Sequence, residues 1–200
     1  MILGNSKILK SGGLIFQSVS TPPIGGSVLL QTVRINLDSA YRNITATWNM
    51  GVKGNTTSNL LNSVGVGTGF NLIVPADGGV EAEDEGVQTD PEGIFPSSVL
   101  QYMLNRGNSA ITMQLTGLSP TKKYRFHFAA VQSYTDAGDK TSANVNGVIS
   151  PLNGPDLANV VYKATVNIVN PTSGIADLTF TPDASGGYSC MNAFYFEEYS

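Results

Sequence analysis

Lys123-Tyr124-Arg125-Phe126-His127-Phe128-Ala129-Ala130 is the stretch that decides the fold. Tyr124, Phe126, Phe128 and Ala130 alternate with Lys123, Arg125, His127 and Ala129. Successive side chains of a strand point to opposite faces, so this run predicts a long, half-buried strand with an apolar inner side and a polar outer side. The turn Gly117-Leu118-Ser119-Pro120-Thr121 precedes it, and before that Ile111, Met113 and Leu115 alternate with Thr112, Gln114 and Thr116. After it, Asn146-Gly147 within residues 144–149 is a tight-hairpin signal, because both residues tolerate a positive φ. Tyr162, Ala164, Val166 and Ile168 then alternate with Val161, Lys163, Thr165 and Asn167. Ala176, Leu178 and Phe180 follow, then a turn over 181–187 and a last aromatic strand over 191–197.

The first half reads less regularly. Leu29, Gln31, Val33, Ile35 and Leu37 share one side of a strand, with Thr32, Arg34 and Asn36 on the other. Residues 45–48 form a second short strand, residues 58–61 one helical turn, and Gly65-Val66-Gly67-Thr68-Gly69 leads into a strand over 70–74. Residues 75–93 read as a long acidic loop, holding Asp77, Glu81, Glu83, Asp84, Glu85, Asp90 and Glu92, and residues 96–104 as a short helix. Strands at about ten-residue spacing, with turn residues between them and no long helix, predict an all-β chain: an antiparallel β-sandwich or jelly roll over residues 28–200. Residues 1–27 read as an N-terminal arm or anchoring segment, with an extra edge strand as the alternative. Thr21-Pro22-Pro23-Ile24-Gly25-Gly26 is a break that prolines stiffen and glycines loosen.

Composition narrows the function. The 200 residues carry 41% hydrophobic side chains, enough for one core, but only 13% charged ones, and Gly and Pro together disfavour long helices. The net charge is −4, and no Lys or Arg lies between Lys53 and Arg106. A nucleic-acid partner requires a dense basic footprint to displace counterions, so none is expected. Cys190 stands alone, which excludes an internal disulfide and makes Cys/His zinc sites remote. No apolar run is long enough for a membrane span. The first ten residues lack the basic, apolar, small-residue order of a secretion signal.

Trp48-Asn49, the run from Thr57 to Leu61, Gly69 to Val74, Leu115 to Phe126, Val145-Asn146-Gly147, Thr181 to Gly186 and Met191-Asn192-Ala193-Phe194 occur in this order. The set resembles galactose-binding-like jelly-roll modules, the non-catalytic carbohydrate-binding domains found beside hydrolases and on bacterial surface proteins. It covers about Ser27 to Phe196. The Gly-Leu-Ser-Pro turn before a Tyr-x-Phe-x-Phe strand also resembles fibronectin type III domains, and the tail favours the jelly roll. Met50 departs from the Asn that related modules often repeat after Trp-Asn. The resemblance implies a glycan ligand and, often, a structural calcium ion. The first sixteen residues are similar in style to the starts of tailed-bacteriophage virion proteins.

Candidate sites follow from residue chemistry. Sugars offer flat C–H faces to aromatic rings and hydroxyls to amides and carboxylates. Trp48 and Asn49, with Tyr134 and Asp136 from the loop after the long strand, would make such a platform, and a core position is the alternative for Trp48. Calcium takes six to eight oxygens, which Asp77, Glu81, Glu83, Asp84 and Glu85 would supply, although solvation alone accounts for their charge too. Hydrolysis by an acid pair needs a rigid cleft, which a solvated loop is not. Serine-type catalysis needs a histidine beside a nucleophile, and His127 reads as facing solvent or a neighbouring strand. No catalytic residue and no other cofactor is expected.

The expected function is therefore a non-enzymatic structural or adhesion protein of a bacteriophage particle, as a capsid decoration, head fibre or tail component at the virion surface. Residues 1–27 would contact other virion proteins, the sandwich would meet a cell-surface glycan, and subunits would form a homo-oligomer or cover a lattice. The alternative is an extracellular or cell-surface bacterial carbohydrate-binding module, accessory to a polysaccharide-degrading system.

Overall fold

The computed structural model describes residues 26–38, 47–76, 81–86, 88–135, 140–155, 157–182 and 187–200. The deciding stretch forms strand β8 (Lys123–Ala130). Its inner rings need an apolar surface opposite them, and two sheets supply it. The first has five strands in the order β11 (Tyr162–Val169), β8, β14 (Ala193–Tyr199), β1 (Leu29–Asp38) and β2 (Asn49–Val52). Its pairings are antiparallel except β1 with β2. The second has six strands in the order β10 (Val148–Pro151), β9 (Thr141–Val145), β12 (Ile175–Pro182), β7 (Ile111–Thr116), β4 (Asn71–Ile73) and β3 (Thr56–Thr57). A small third sheet joins β13 (Tyr188–Met191), β6 (Tyr102–Gly107) and β5 (Glu81–Asp84). The one described helix, α1 (Ser97–Leu100), is a single turn. The fold is an all-β sandwich.

The core fills the space between the large sheets. Phe126, Phe128, Phe194 and Phe196 from the first sheet meet Leu72, Leu115, Leu178 and Phe180 from the second, all with no exposed surface. Phe128 meets Phe180 edge-on at 5.3 Å, and Phe126 stacks on Phe196 at 5.4 Å. Each such side chain contributes about 1.5–3 kcal/mol by burial. At the sandwich corner the Tyr124 hydroxyl accepts from the Ser119 N–H (2.8 Å) and donates to Glu198 (3.0 Å).

A second apolar cluster lies on the other side of the five-stranded sheet. Trp48, Phe95, Val99, Leu100 and Val131 pack there on Ala129 and Ala193, the small outward residues of β8 and β14. The outer side of β8 is therefore not solvated as expected. Ala129 is fully buried, and Arg125 and His127 are each 8% exposed.

Other expectations divide similarly. The Asn146-Gly147 hairpin forms, pairing Val145 with Val148, with φ of 49° and 88° at the two turn residues. The short strand near Trp48 starts later, at Asn49, and residues 45 and 46 lie outside the described residues. Residues 58–61 make no helical turn. Asn59 takes φ 51°, and Leu61 bridges to Gly67. The helix expected over 96–104 stops at Leu100, because Met103 and Leu104 pair in the third sheet. Strand β5 interrupts the acidic loop. Of the expected arm, residues 1–25 lie outside the described residues. Ser27 is buried and accepts the Lys123 ammonium at 3.0 Å.

Candidate functional site

The proposed platform residues do not come together as one open surface. Trp48 is 7% exposed, with its ring 5.9 Å from Phe95, so it occupies the second cluster. Asn49 is committed to backbone: its amide donates to the carbonyls of Arg34 (3.0 Å) and Leu61 (2.7 Å) and accepts the Leu61 N–H (2.7 Å). Tyr134 is 39% exposed, beyond Val131 at the same end of the sheet. Asp136 lies outside the described residues.

Of the calcium set, only Asp84 and Glu85 have described side chains. Asp77 lies outside the described residues, and Glu81 and Glu83 are placed only as positions on β5. Asp84 is exposed and accepts from the Gly86 N–H and the Gln101 amide, whereas Glu85 is buried and accepts the Ser133 N–H. Glu85 follows the end of β5, so the two carboxylates have different surroundings, one exposed and one buried. Among the described residues no three His, Cys, Asp or Glu side chains converge.

Two polar arrangements were not anticipated. The first is a network on the outer side of the five-stranded sheet. Register brings Thr165, His127, Tyr195 and Arg34 into one row across four strands, and Asn167, Arg125, Glu197 and Thr32 into the next. Glu197 Oε2 accepts from Tyr199 (2.6 Å) and faces His127 Nε2 (3.2 Å), with Arg125 at 3.9 Å. Arg125 also donates to Asn167 at 2.8 Å. Burial would raise the Glu197 carboxyl, but the bonds from His127 and Tyr199, with the His127 and Arg125 charges, outweigh it and hold the group below its ordinary range.

Thr165 Oγ1 lies 3.1 Å from His127 Nδ1, so hydroxyl, imidazole and carboxylate stand in line. That order is shared with acyl-transfer triads, but the chemistry also requires N–H donors aimed at a developing oxyanion. Thr165 sits within an eight-residue strand, where backbone N–H groups lie in the plane of the sheet rather than above its face. Tyr199 and Arg125 further engage the carboxylate. The line acts as a cross-strand tie.

The second arrangement is an open groove of about 480 Å³ on the outer side of the six-stranded sheet. Ile73, Gln114 and Asp177 form one row across β4, β7 and β12, and Thr112 and Thr179 pair in the next. Gln114 donates to Asp177 at 2.9 Å, and both residues line the groove. Pro75 and Met113 complete the lining. The floor is thus hydroxyl, amide and carboxylate, with an aliphatic wall.

No family model and no curated protein sequence matches the chain. Solved structures do. The ANXUR2 extracellular domain from Arabidopsis thaliana superposes over 87% of this chain and 50% of its own, at 14% identity and TM-score 0.55. The ANX1 ectodomain from the same plant covers 87% and 50%, at 13% identity and TM-score 0.54. These similarities establish the β-sandwich fold. The chain spans about half the length of the plant structures it matches. A looser superposition, TM-score 0.37 at 14% identity over 64% of this chain and 91% of the other, relates it to CBM35 from Cellvibrio japonicus Abf62 and carries no weight.

Proposed function

We propose that the chain is a non-enzymatic carbohydrate-binding β-sandwich that holds a saccharide in the groove of its six-stranded sheet. The observation that carries this reading is the lining of that groove. A sugar presents alternating hydroxyls and C–H patches. Asp177 and Gln114 accept from hydroxyls, Thr112 and Thr179 both donate and accept, and Ile73 and Pro75 cover C–H surface. Strands β4, β7 and β12 set the spacing of all these groups but Pro75. Of the two expectations drawn from sequence, the module reading is favoured over the virion reading, because no observation in the described residues points to a particle. A location outside the cell that makes the chain follows from the same reading.

The test is a saccharide array with the whole chain, followed by calorimetric titration of the hits. Asp177→Ala should weaken binding at least tenfold while leaving the melting temperature within a few degrees, since Asp177 is exposed. Absence of any saccharide ligand, or equal affinity in the variant, would overturn the groove as the site.

A further inference from the structure

Arg34 stands out among the charged groups of the five-stranded sheet. Asp90 and Glu92 take Lys163, and Glu197 takes His127 with Arg125 nearby. Arg34 is half-buried on β1, and among the described residues no carboxylate pairs with it. Its guanidinium donates to the Thr47 hydroxyl at 3.2 Å. One such bond leaves most of its five N–H donors for something else. Burial lowers the Arg34 pKa from its ordinary value and outweighs an opposite effect of Tyr195.

The neighbouring side chains suit an anion that also carries hydroxyls. Tyr195 is directly opposite Arg34 in register. Its ring stacks on His127 at 4.3 Å and meets Phe95 in a tilted contact at 5.7 Å, so aromatic neighbours hold the ring in place. Burial, with the Glu197 charge, raises the Tyr195 pKa, so the hydroxyl stays protonated and can donate. Further along the same face, Thr165 and Asn167 are exposed; the Thr165 hydroxyl is shared with His127 and Asn167 Oδ1 accepts from Arg125, which leaves the Asn167 N–H groups to donate. Thr165 lies three strand spacings from Arg34, about 14 Å, which exceeds one sugar ring.

We propose that Arg34 and the Tyr195 hydroxyl form a carboxylate-binding subsite for a uronic-acid unit of an acidic oligosaccharide, whose further units run toward Thr165 and Asn167. The planar guanidinium matches a carboxylate in a two-bond fork, which a lysine could not reproduce. This inference rests on the carbohydrate-binding reading but uses a different face, so the two can fail separately.

The experiment titrates the whole chain with three-unit uronides of the galacturonate, glucuronate and mannuronate series, and with their methyl esters. At least one acid form should bind, its ester at least tenfold more weakly. Arg34→Gln should lose at least tenfold in affinity and Arg34→Lys should recover only part of it. Tyr195→Phe should lose severalfold, and Asp177→Ala should bind the uronide as the parent chain does. Affinity of Arg34→Gln equal to the parent, or equal binding of acid and ester, would overturn the subsite. Displacement of the uronide by polyglutamate at equal carboxylate concentration would overturn its assignment to a sugar. Neutral saccharides that bind and depend on Asp177, with no uronide binding, would overturn this inference and leave the groove standing.

Discussion

Lys163 closes on Asp90 at 2.6 Å and so ties the acidic segment to the outer side of β11. The Asp90 carboxylate also accepts the backbone N–H groups of Glu92, Ile94 and Phe95, at 3.1, 3.0 and 3.0 Å. One buried side chain thus shapes the turn that sets Phe95 against Trp48 and Tyr195. Burial alone would raise the Asp90 carboxyl; the Lys163 bond, the N–H groups of Phe95 and Glu92 and the Lys163 charge outweigh it and hold the group below its ordinary range. Asp90→Asn should cost about 2 kcal/mol, since it weakens bonds to a charged acceptor and leaves Lys163 with Glu92 alone. For a chain of this size that is roughly 4–8 °C in Tm. Trp48 is the single tryptophan, so its emission should shift to the red in the variant if the segment loosens.

Glu197 gives the sandwich an acid sensitivity whose sign is fixed. Its folded pKa lies below the unfolded value of 4.5, so the stability it contributes is fully present above that pH and is lost as the pH falls through the folded value. Asp90 acts in the same sense from 3.8 downward. Urea midpoints should therefore be level near neutrality and decline from about pH 4.5. Glu197→Gln should lower the midpoint at pH 7 and flatten that decline. A decline as steep in the variant as in the parent chain would place the acid sensitivity elsewhere.

The strands legible in the sequence are those whose period-two pattern is uninterrupted. β7, β8 and β12 show it, and β11 shows it over its described side chains. The β9–β10 hairpin announces itself through Asn146-Gly147. What periodicity cannot report is what covers the outward side. His127 reads as facing solvent or a neighbouring strand, and it takes the second course, bonded to Glu197 and Thr165; Ala129 is covered by Phe95 and α1, which come from far along the chain. β6 was hidden because its pairing with β13 joins Asn105 to Cys190. The groove was invisible for the same reason. Gln114 and Asp177 are 63 residues apart and meet only through the β7–β12 register. Arg34, alternating with core residues, could be placed on the outer side from sequence, but its want of a carboxylate partner could not.

Gly117 tests whether the turn before β8 fixes the register on which the sandwich depends. Its φ is +85°, a left-handed conformation that L side chains adopt at a cost. A Cβ there would also stand 2.6 Å from the Gly69 carbonyl oxygen, a backbone atom that cannot swing aside as a side chain can. Gly69 directly precedes Phe70, whose ring packs on Tyr124 and Phe196, so relief of the clash must move the β4 entry or the Ser119–Tyr124 corner. Gly117→Ala should therefore cost more than the roughly 1–2 kcal/mol of left-handed alanine alone, on the order of 3 kcal/mol. Chemical denaturation measures the cost. Gly147→Ala is the control: it also has positive φ, at 88°, but its Cβ meets nothing within 4 Å. The control should lose only the conformational part, about 1–2 kcal/mol. Equal losses in the two variants would show that backbone conformation alone, and not the contact with Gly69, makes glycine necessary at position 117.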